Sequence, residues 1–200
     1  MTRIVAGRAR GRRLEVPPEV TRPTSDRVRE AVFSSLGHHL GSWSGRCVLD
    51  LFAGSGAMGL EAASRGASSV LLVERDRRAV AVIRRNIAAV GIDGVAVLAA
   101  DAFRLAGRES AAATLPAADL VVMDPPYDQD GAEVARLLTR LQAGSWLAPQ
   151  ALAVVERSAR GAPFRWPPDW QTVTDRRYAQ TMIHLGRLVA SGRSTGEEST

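Results

Sequence analysis

The feature that most constrains the fold is an apolar run that leads directly into a glycine-rich turn. The run is Cys47–Phe52, and the turn that follows it reads Ala53-Gly54-Ser55-Gly56. Gly54 and Gly56 can adopt backbone angles that other residues avoid, and they let a ligand approach the main chain closely. A helix that starts after the turn offers unpaired N–H groups to the same ligand. The pattern predicts a strand, turn and helix that bind a cofactor, and with Gly59 it also has the G-x-G-x-x-G spacing of dinucleotide-binding proteins.

Acidic residues follow two later predicted strands. Glu74 comes directly after the run Ser69–Val73, where its carboxylate could accept from both hydroxyls of a ribose. Asp101 follows the run Val95–Leu98, where it could accept from an adenine amino group or cap the next helix. Adenosyl and dinucleotide cofactors both carry the ribose hydroxyls, so the glycine turn and Glu74 leave the cofactor open, whereas an adenine contact at Asp101 helps to define it.

The tetrapeptide Asp124-Pro125-Pro126-Tyr127 follows a third apolar run, Leu120–Met123. The prolines lack an N–H and have a fixed φ, so the turn cannot continue into a sheet or helix and its carbonyls remain acceptors. An exocyclic amino group of a nucleobase could donate to Asp124 and to the Pro125 carbonyl while Tyr127 stacks on the ring. The alternative is a strand that ends in a proline turn over a buried tyrosine.

In this order the motifs resemble the S-adenosylmethionine-dependent methyltransferases of the Rossmann-like class over nearly the whole chain. Three further segments are similar to the RsmD family, the 16S ribosomal RNA guanine-N2 methyltransferases. They are Arg3-Ile4-Val5-Ala6-Gly7, Arg10-Gly11-Arg12 and Arg22–Glu30. Members of that family often carry lysines in the opening segment, where this chain has only arginine, which retains the charge and favours bidentate phosphate contacts.

The resemblance implies an activity and a set of site residues. The activity is methyl transfer from S-adenosylmethionine to the exocyclic N2 of a guanine in 16S ribosomal RNA, the guanine at position 966, in an assembled or assembling small subunit. The catalytic residues are Asp124, Pro125, Pro126 and Tyr127. The implied cofactor-binding residues are Asp50, Ala53, Gly54, Ser55, Gly56, Glu74, Arg75, Asp101 and Ala102, with Thr24 and Arg27 closing over the methionine end. For Arg27 a surface pair with Glu30 is the alternative.

We expect one α/β domain, because 200 residues with 46% hydrophobic content can bury one core. The apolar spacing predicts helices over Asp26–Leu36, after Asp76 and over Gly131–Leu141. It predicts late strands over Gln150–Glu156, Gln171–Asp175 and Thr181–Leu185. The resulting fold is a Rossmann-like class I methyltransferase, with a mostly parallel seven-stranded sheet, an antiparallel edge strand and helices on both faces. Residues 23–189 form this domain, a basic β-hairpin occupies residues 1–22, and residues 190–200 form a disordered tail.

The net charge of +5 lies entirely in the first thirteen residues. The remaining 21 arginines balance the 21 acids, and the chain has no lysine. The five arginines of the opening segment are Arg3, Arg8, Arg10, Arg12 and Arg13. Their clustering predicts contacts with RNA phosphates through a hairpin whose inward residues are Ile4 and Leu14 or Val16. A basic terminus that only aids solubility is the alternative.

The sequence disfavours several other classes of protein. The three histidines have no ligand spacing and Cys47 is the only cysteine, so we expect neither a metal nor a disulfide framework. Cys47 should be a buried, inert thiol, which argues against a covalent pyrimidine methyltransferase. No apolar run approaches the ~18 residues of a membrane span, and no signal peptide is visible, so we expect a cytoplasmic monomer.

Three alternatives of function remain open. An adenine-N6 or glutamine-N5 methyltransferase would have the same architecture, although asparagine usually replaces the residue at Asp124 in those enzymes. A nicotinamide-dependent oxidoreductase would use Gly54, Gly56 and Gly59 but would not need the tetrapeptide. A non-catalytic RNA-binding module would need only the arginine-rich hairpin.

Overall fold

A computed structural model describes residues 2–18, 25–107, 116–126 and 128–189. These residues form nine strands and five helices. The strands are β1 (Thr2–Arg3), β2 (Arg13–Leu14), β3 (Cys47–Leu51), β4 (Ser69–Glu74), β5 (Val95–Ala99), β6 (Ala118–Met123), β7 (Leu147–Ser158), β8 (Trp170–Tyr178) and β9 (Thr181–Leu188). The helices are α1 (Asp26–Leu40), α2 (Ala57–Arg65), α3 (Arg77–Val90), α4 (Ala102–Leu105) and α5 (Gly131–Ala143).

Seven strands form one sheet in the order β5-β4-β3-β6-β7-β9-β8, which confirms the predicted fold class. The pairs from β5 through β7 are parallel, and β9 is antiparallel to both of its neighbours. The antiparallel strand therefore lies one position inside the edge, because β8 and β9 form a hairpin whose second strand pairs with β7. The chain winds outward from β3 in both directions, so a crevice opens between the carboxyl ends of β3 and β6. Ligands of parallel α/β sheets bind at such a point.

Alternate residues of the central strands enter two separate cores, one on each face of the sheet. On the first face Val48, Leu72, Val122 and Val154 pack with residues of α1, α2 and α3. On the second face Leu49, Val73, Met123 and Val155 pack with residues of α4 and α5. This alternation determines the face on which each residue at a strand end lies.

The predicted helices begin where their caps indicate. Ser25, Asp76 and Asp130 cap α1, α3 and α5 by accepting a backbone N–H in the first turn. The helices α1 and α5 continue past Leu36 and Leu141, to Leu40 and Ala143. The late strands are also longer than predicted, because cross-strand pairing extends them beyond their apolar segments.

The N-terminal hairpin packs onto the domain. Ile4 and Leu14 are buried in the core of the first face, whereas Val16 is half-buried. The backbone N–H groups of Val5 and Ala6 donate to the Glu61 carboxylate at 2.7 and 3.0 Å. A Cβ on Gly7 would lie 1.9 Å from the Ser64 carbonyl oxygen, so the hairpin approaches the end of α2 at backbone distance. It therefore shares the core of the domain.

Some predicted features lie outside the described residues. They are the segment 19–24, which includes Thr24, together with Tyr127 and the tail 190–200. Among the described helices, none combines the length and apolarity needed to cross a membrane.

Candidate active site

The glycine-rich turn lies at the carboxyl end of β3 and is tied to the end of β4. The Ala53 N–H donates to the Val73 carbonyl at 3.0 Å, and the Gly54 N–H donates to Glu74 Oε2 at 2.9 Å. Gly54 and Gly56 have φ of 56° and 79°, in the left-handed region that favours glycine. These bonds hold the turn in one conformation directly above the crevice.

The third glycine of the motif serves to pack α2 against the sheet. A Cβ on Gly59 would lie 2.2 Å from Leu72 Cδ2 and 3.2 Å from Asp50 Oδ2. The Gly59 N–H donates to the same Asp50 oxygen at 2.9 Å. Because a side chain at position 59 would clash, the G-x-G-x-x-G spacing is explained by packing and does not require a dinucleotide.

Asp50 is a buried carboxyl on the last part of β3, with 3% of its surface exposed. The pKa of Asp50 is raised to about 7, because burial and the nearby Glu74 carboxylate together outweigh the lowering effect of the Gly59 N–H. A positively charged ligand would favour the ionised form. The site is therefore suited to a cation.

Glu74 and Asp101 already have bonds to their own loops. The other oxygen of Glu74 accepts the Asp76 N–H at 2.8 Å. Asp101 caps α4 by accepting the Arg104 N–H at 3.0 Å, so the capping role that the sequence left open is present. Its second oxygen lies 4.0 Å from Nη1 of the exposed Arg75, and Ala102 is buried at the start of α4. Each carboxylate oxygen has a second lone pair, so these bonds still leave acceptor capacity toward a ligand.

The Asp124-Pro125-Pro126 turn leaves β6 at the crevice. Asp124 is half-buried, Pro125 is buried and Pro126 is exposed. Burial raises the pKa of Asp124 well above its ordinary value, the carboxylates of Glu156 and Asp50 raise it further, and Arg157 partly opposes them. A carboxyl with a raised pKa can accept a proton near neutral pH.

Glu156 and Arg157 belong to this site, although the sequence patterns did not assign them to it. Met123 pairs with Val155, so Glu156 on β7 lies beside Asp124. Arg157 Nη2 donates to the Gln129 carbonyl at 2.5 Å, just beyond the tetrapeptide. The sequence did contain a signal that could have identified Glu156, because this acid follows an apolar run, as Glu74 and Asp124 do.

The basic residues assigned to the cofactor and RNA lie farther out. Arg27 is exposed on the first turn of α1. Arg3 pairs with Asp26 at 3.4 Å, and Arg12 donates to the Ala89 carbonyl near the end of α3. Arg8, Arg10 and Arg13 are exposed. The Arg8 N–H donates to the Ser64 carbonyl, so the hairpin tip lies at the end of α2 that is remote from the glycine turn.

The cysteine and histidine side chains described next have structural surroundings that account for their positions. Cys47 is buried as predicted, and burial together with the Asp119 charge raises the pKa of its thiol. His184 Nδ1 lies 2.8 Å from Asp175 Oδ1 across the β8–β9 hairpin. No cluster of metal-ligating side chains occurs in the part of the chain that the structure describes.

Comparison with known proteins places this geometry in a family. The family described as conserved hypothetical protein 95 matches residues 2–187. Ribosomal RNA small subunit methyltransferase D of Escherichia coli is 32% identical over 98% of this chain and 94% of its own length. The Haemophilus influenzae protein of the same name is 33% identical over 87% of each chain.

Solved structures agree with the fold. The structure of Escherichia coli YhhF is 31% identical and has a TM-score of 0.81, covering 95% of this chain and 99% of that one. The structure of SMU.776 in complex with SAH has a TM-score of 0.61 at 14% identity, which shows the fold alone. Because both the family description and the curated relatives match nearly end to end, the chain belongs to the RsmD family of small-subunit ribosomal RNA methyltransferases.

Proposed function

We propose that this protein transfers a methyl group from S-adenosylmethionine to the exocyclic N2 of a guanine in small-subunit ribosomal RNA. The observation that carries the proposal is the Asp124-Pro125-Pro126 turn beside the Gly54–Gly56 turn, at the point where the sheet reverses its strand order. The names of the curated relatives support ribosomal RNA as the substrate. The family resemblance supports guanine N2, because the tetrapeptide begins with aspartate.

The charge of the crevice favours S-adenosylmethionine over a dinucleotide. Asp50, Asp124 and Glu156 place three carboxyl groups near each other, and the first two have pKa values raised by burial and by neighbouring acids. S-adenosylmethionine carries a sulfonium and an ammonium group, which compensate these charges. A pyrophosphate would add to the negative charge, so the oxidoreductase alternative fits less well. SMU.776, which has the same fold, binds SAH.

In the proposed complex, each part of the cofactor meets one strand end. Glu74 accepts from the ribose hydroxyls and Asp101 from the adenine amino group, with Arg75 and Ala102 beside them. The turn from Ala53 to Gly56 passes along the methionine part, and Asp50 lies below it. Thr24 and Arg27 close over this end.

The tetrapeptide positions the amine. A guanine amino group is a weak nucleophile because its lone pair is delocalised into the ring. Hydrogen bonds to the Asp124 carboxylate and the Pro125 carbonyl hold it with the lone pair directed at the methyl group, and Tyr127 stacks on the base. Asp124 then takes the released proton, which its raised pKa favours. The bound S-adenosylmethionine supplies the electrophilic methyl group.

The RNA itself is held by the arginines of the hairpin and by charges near the crevice rim. Because the substrate is ribosomal RNA in an assembled or assembling subunit, we place the protein in the cytoplasm, acting as a monomer. Arg176 and Arg177 are exposed on β8, and we include them as further phosphate contacts.

The test is incubation with labelled S-adenosylmethionine and small-subunit particles that lack the modification, followed by nucleoside analysis. Label in N2-methylguanosine at the guanine implied by the resemblance is the expected result. Label in N6-methyladenosine would contradict the guanine assignment. A calorimetric titration that detects NADH but neither S-adenosylmethionine nor its homocysteine product would contradict the methyltransferase assignment as a whole.

A further inference from the structure

Glu156, near the end of β7, and Asp124, directly after β6, lie on the same face of the sheet. The parallel register pairs Met123 with Val155, so the next residues, Asp124 and Glu156, lie side by side. Val122 and Val154, two residues earlier on each strand, both enter the core of the first face. Asp124 and Glu156 therefore project toward that face, which is also the face on which Asp50 meets α2.

The two carboxyl groups are close enough to contact one base. Neighbouring strands lie about 4.8 Å apart, which is within reach of adjacent groups on the edge of a purine. Glu156 is 7% exposed, so its side chain is buried beside Asp124. The Glu156 charge raises the pKa of Asp124, which agrees with this proximity.

A groove continues from this pair along the same face. Ile183 pairs with Glu156 on one side and with Arg176 on the other, so the three side chains form one row across β7, β9 and β8. The groove is bounded by apolar residues of α1 and by this sheet surface, and Ile183 and Arg176 both line it. The row of side chains therefore connects the acid pair with an apolar surface beside α1.

Guanine and adenine differ at the position that Glu156 would meet. Guanine carries an N1–H donor directly beside its N2 amino group, whereas adenine carries an N1 acceptor beside its N6 amino group. An ionised carboxylate only accepts hydrogen bonds. Hydrogen bonds donated to a carboxylate favour its ionised form, so the two adjacent donors of guanine favour two adjacent carboxylates. The donor and acceptor of adenine do not match such a pair.

We propose that Glu156 accepts the N1–H of the target guanine while Asp124 accepts from its amino group, and that Glu156 thereby selects guanine over adenine. The proposal rests on the proposed function, since it concerns the base that this site methylates. Glu156 contacts the substrate through N1 and takes no part in the transfer of the methyl group or of the proton.

The test uses 2-aminopurine, an analogue that has an acceptor at N1 and also lacks the O6 carbonyl of guanine. Small-subunit particles are reconstituted with RNA in which the target guanine is replaced by 2-aminopurine, which keeps the amino group but has an acceptor at N1. Wild-type enzyme should prefer guanine by at least ~10-fold in kcat/KM, on the scale of one hydrogen bond to a charged group. This comparison needs no variant and is independent of folding. Equal rates on the two substrates would overturn the proposal.

A variant then assigns the preference to Glu156. The amide of Glu156→Gln can donate to the N1 acceptor, so the preference for guanine over 2-aminopurine should fall by ~10-fold or more. A change in cofactor affinity affects both substrates equally and cancels from this ratio, and the melting temperature shows whether the variant is folded. The matched control is Glu133→Gln on α5, an exposed glutamate that should keep the wild-type preference.

Failure of the inference and failure of the proposed function give different results. If wild-type enzyme forms no N2-methylguanosine in unmodified particles, the proposed function is wrong. If it forms N2-methylguanosine and Glu156→Gln slows guanine and 2-aminopurine by the same factor, the function stands and the role of Glu156 is wrong. A variant that melts early is replaced by Glu156→Asp, whose shorter carboxylate should weaken guanine binding through KM while retaining the preference.

Discussion

The N-terminal hairpin and the crevice at the carboxyl ends of the strands carry opposite charges in opposite environments. The hairpin presents exposed arginines to solvent while its backbone donates to a fully buried acid, Glu61. The crevice encloses Asp50, Asp124 and Glu156, which are buried or half-buried. Surface charge of this kind attracts a polyanion over a distance, whereas buried carboxyl groups act on a ligand that enters the crevice. The comparison suggests that RNA capture and cofactor binding use charges of opposite sign.

The largest expected effect is on the joint between the hairpin and the domain. Glu61 pairs with Arg65 at 2.8 Å and lies 3.7 Å from Arg29, whose side chain is fully buried. Glu61→Gln removes the buried charge that Arg29 and Arg65 share and that the Val5 and Ala6 N–H groups bind, although Arg29 keeps Asp26 at 2.7 Å. The variant should lower the free energy of unfolding by about 3–5 kcal/mol. Urea denaturation measures this loss, with Glu30→Gln on the exposed side of α1 as the control. A loss similar to that of the control would mean that the hairpin is only loosely attached, as a separate extension would be.

The second prediction concerns the buried acid of the crevice. The pKa of Asp50 is about 7 in the folded protein against 3.8 as its ordinary value, so the unfolded chain loses this proton first as the pH rises. Asp50 therefore favours the folded state below pH 4, and this contribution is lost as the pH rises to about 7. By linkage the loss is about 4 kcal/mol.

Asp50→Asn should remove this pH dependence. Relative to wild type, the variant should gain stability between pH 4 and pH 8, while S-adenosylmethionine binds more weakly at pH 8. Thermal melts across this range and a calorimetric titration measure both effects. A stability difference that does not change with pH would show that Asp50 is not the titrating group.

The third prediction concerns the catalytic turn. Asp124→Ala should lower kcat by at least ~100-fold and leave cofactor affinity within a few-fold, because its bonds to the amine matter mainly in the transition state. Single-turnover methylation of small-subunit particles measures the rate. Asp128→Ala, an exposed acid four residues later, is the control. Normal turnover in Asp124→Ala would remove the role proposed for this residue.

The sequence could predict those parts of the site that are local in the chain. The apolar runs before Asp50, Glu74, Asp101 and Asp124 placed each acid at a strand end, and the glycines marked the turn. The position of Glu156 beside Asp124 depends on the pairing of β6 with β7, strands that are separated by all of α5. The periodicity of apolar residues identifies a strand but not the strand that pairs with it. The contact between Glu156 and Asp124 could therefore be found only from the folded structure.

The same limit applies to the hairpin. Its basic charge and its inward residues Ile4 and Leu14 are visible in the sequence, but its attachment is not. Glu61 lies in the middle of α2, where an acid is ordinarily a surface residue. Only the packed structure shows that it is fully buried and accepts two N–H groups from Val5 and Ala6. Deletion of residues 1–13 would expose this core, so substitution of the arginines is the better test of RNA binding.

The smallest effect is expected from the arginines themselves. Arg8, Arg10 and Arg13 are exposed, whereas Arg3 and Arg12 have partners within the chain. Replacing the first three with glutamine should lower the slope of log affinity against log salt by about 0.7 to 0.9 for each phosphate contact that is lost. Affinity for small-subunit particles should fall most at low salt, while S-adenosylhomocysteine binding and melting stay unchanged. The control replaces Arg84, Arg136 and Arg140, three exposed arginines on α3 and α5, and removes the same net charge.

Equal changes in slope for the two triple variants would mean that only total charge matters. An unchanged slope in the hairpin variant would leave the solubilising role for this segment and direct the search for RNA contacts to Arg176 and Arg177 at the crevice rim.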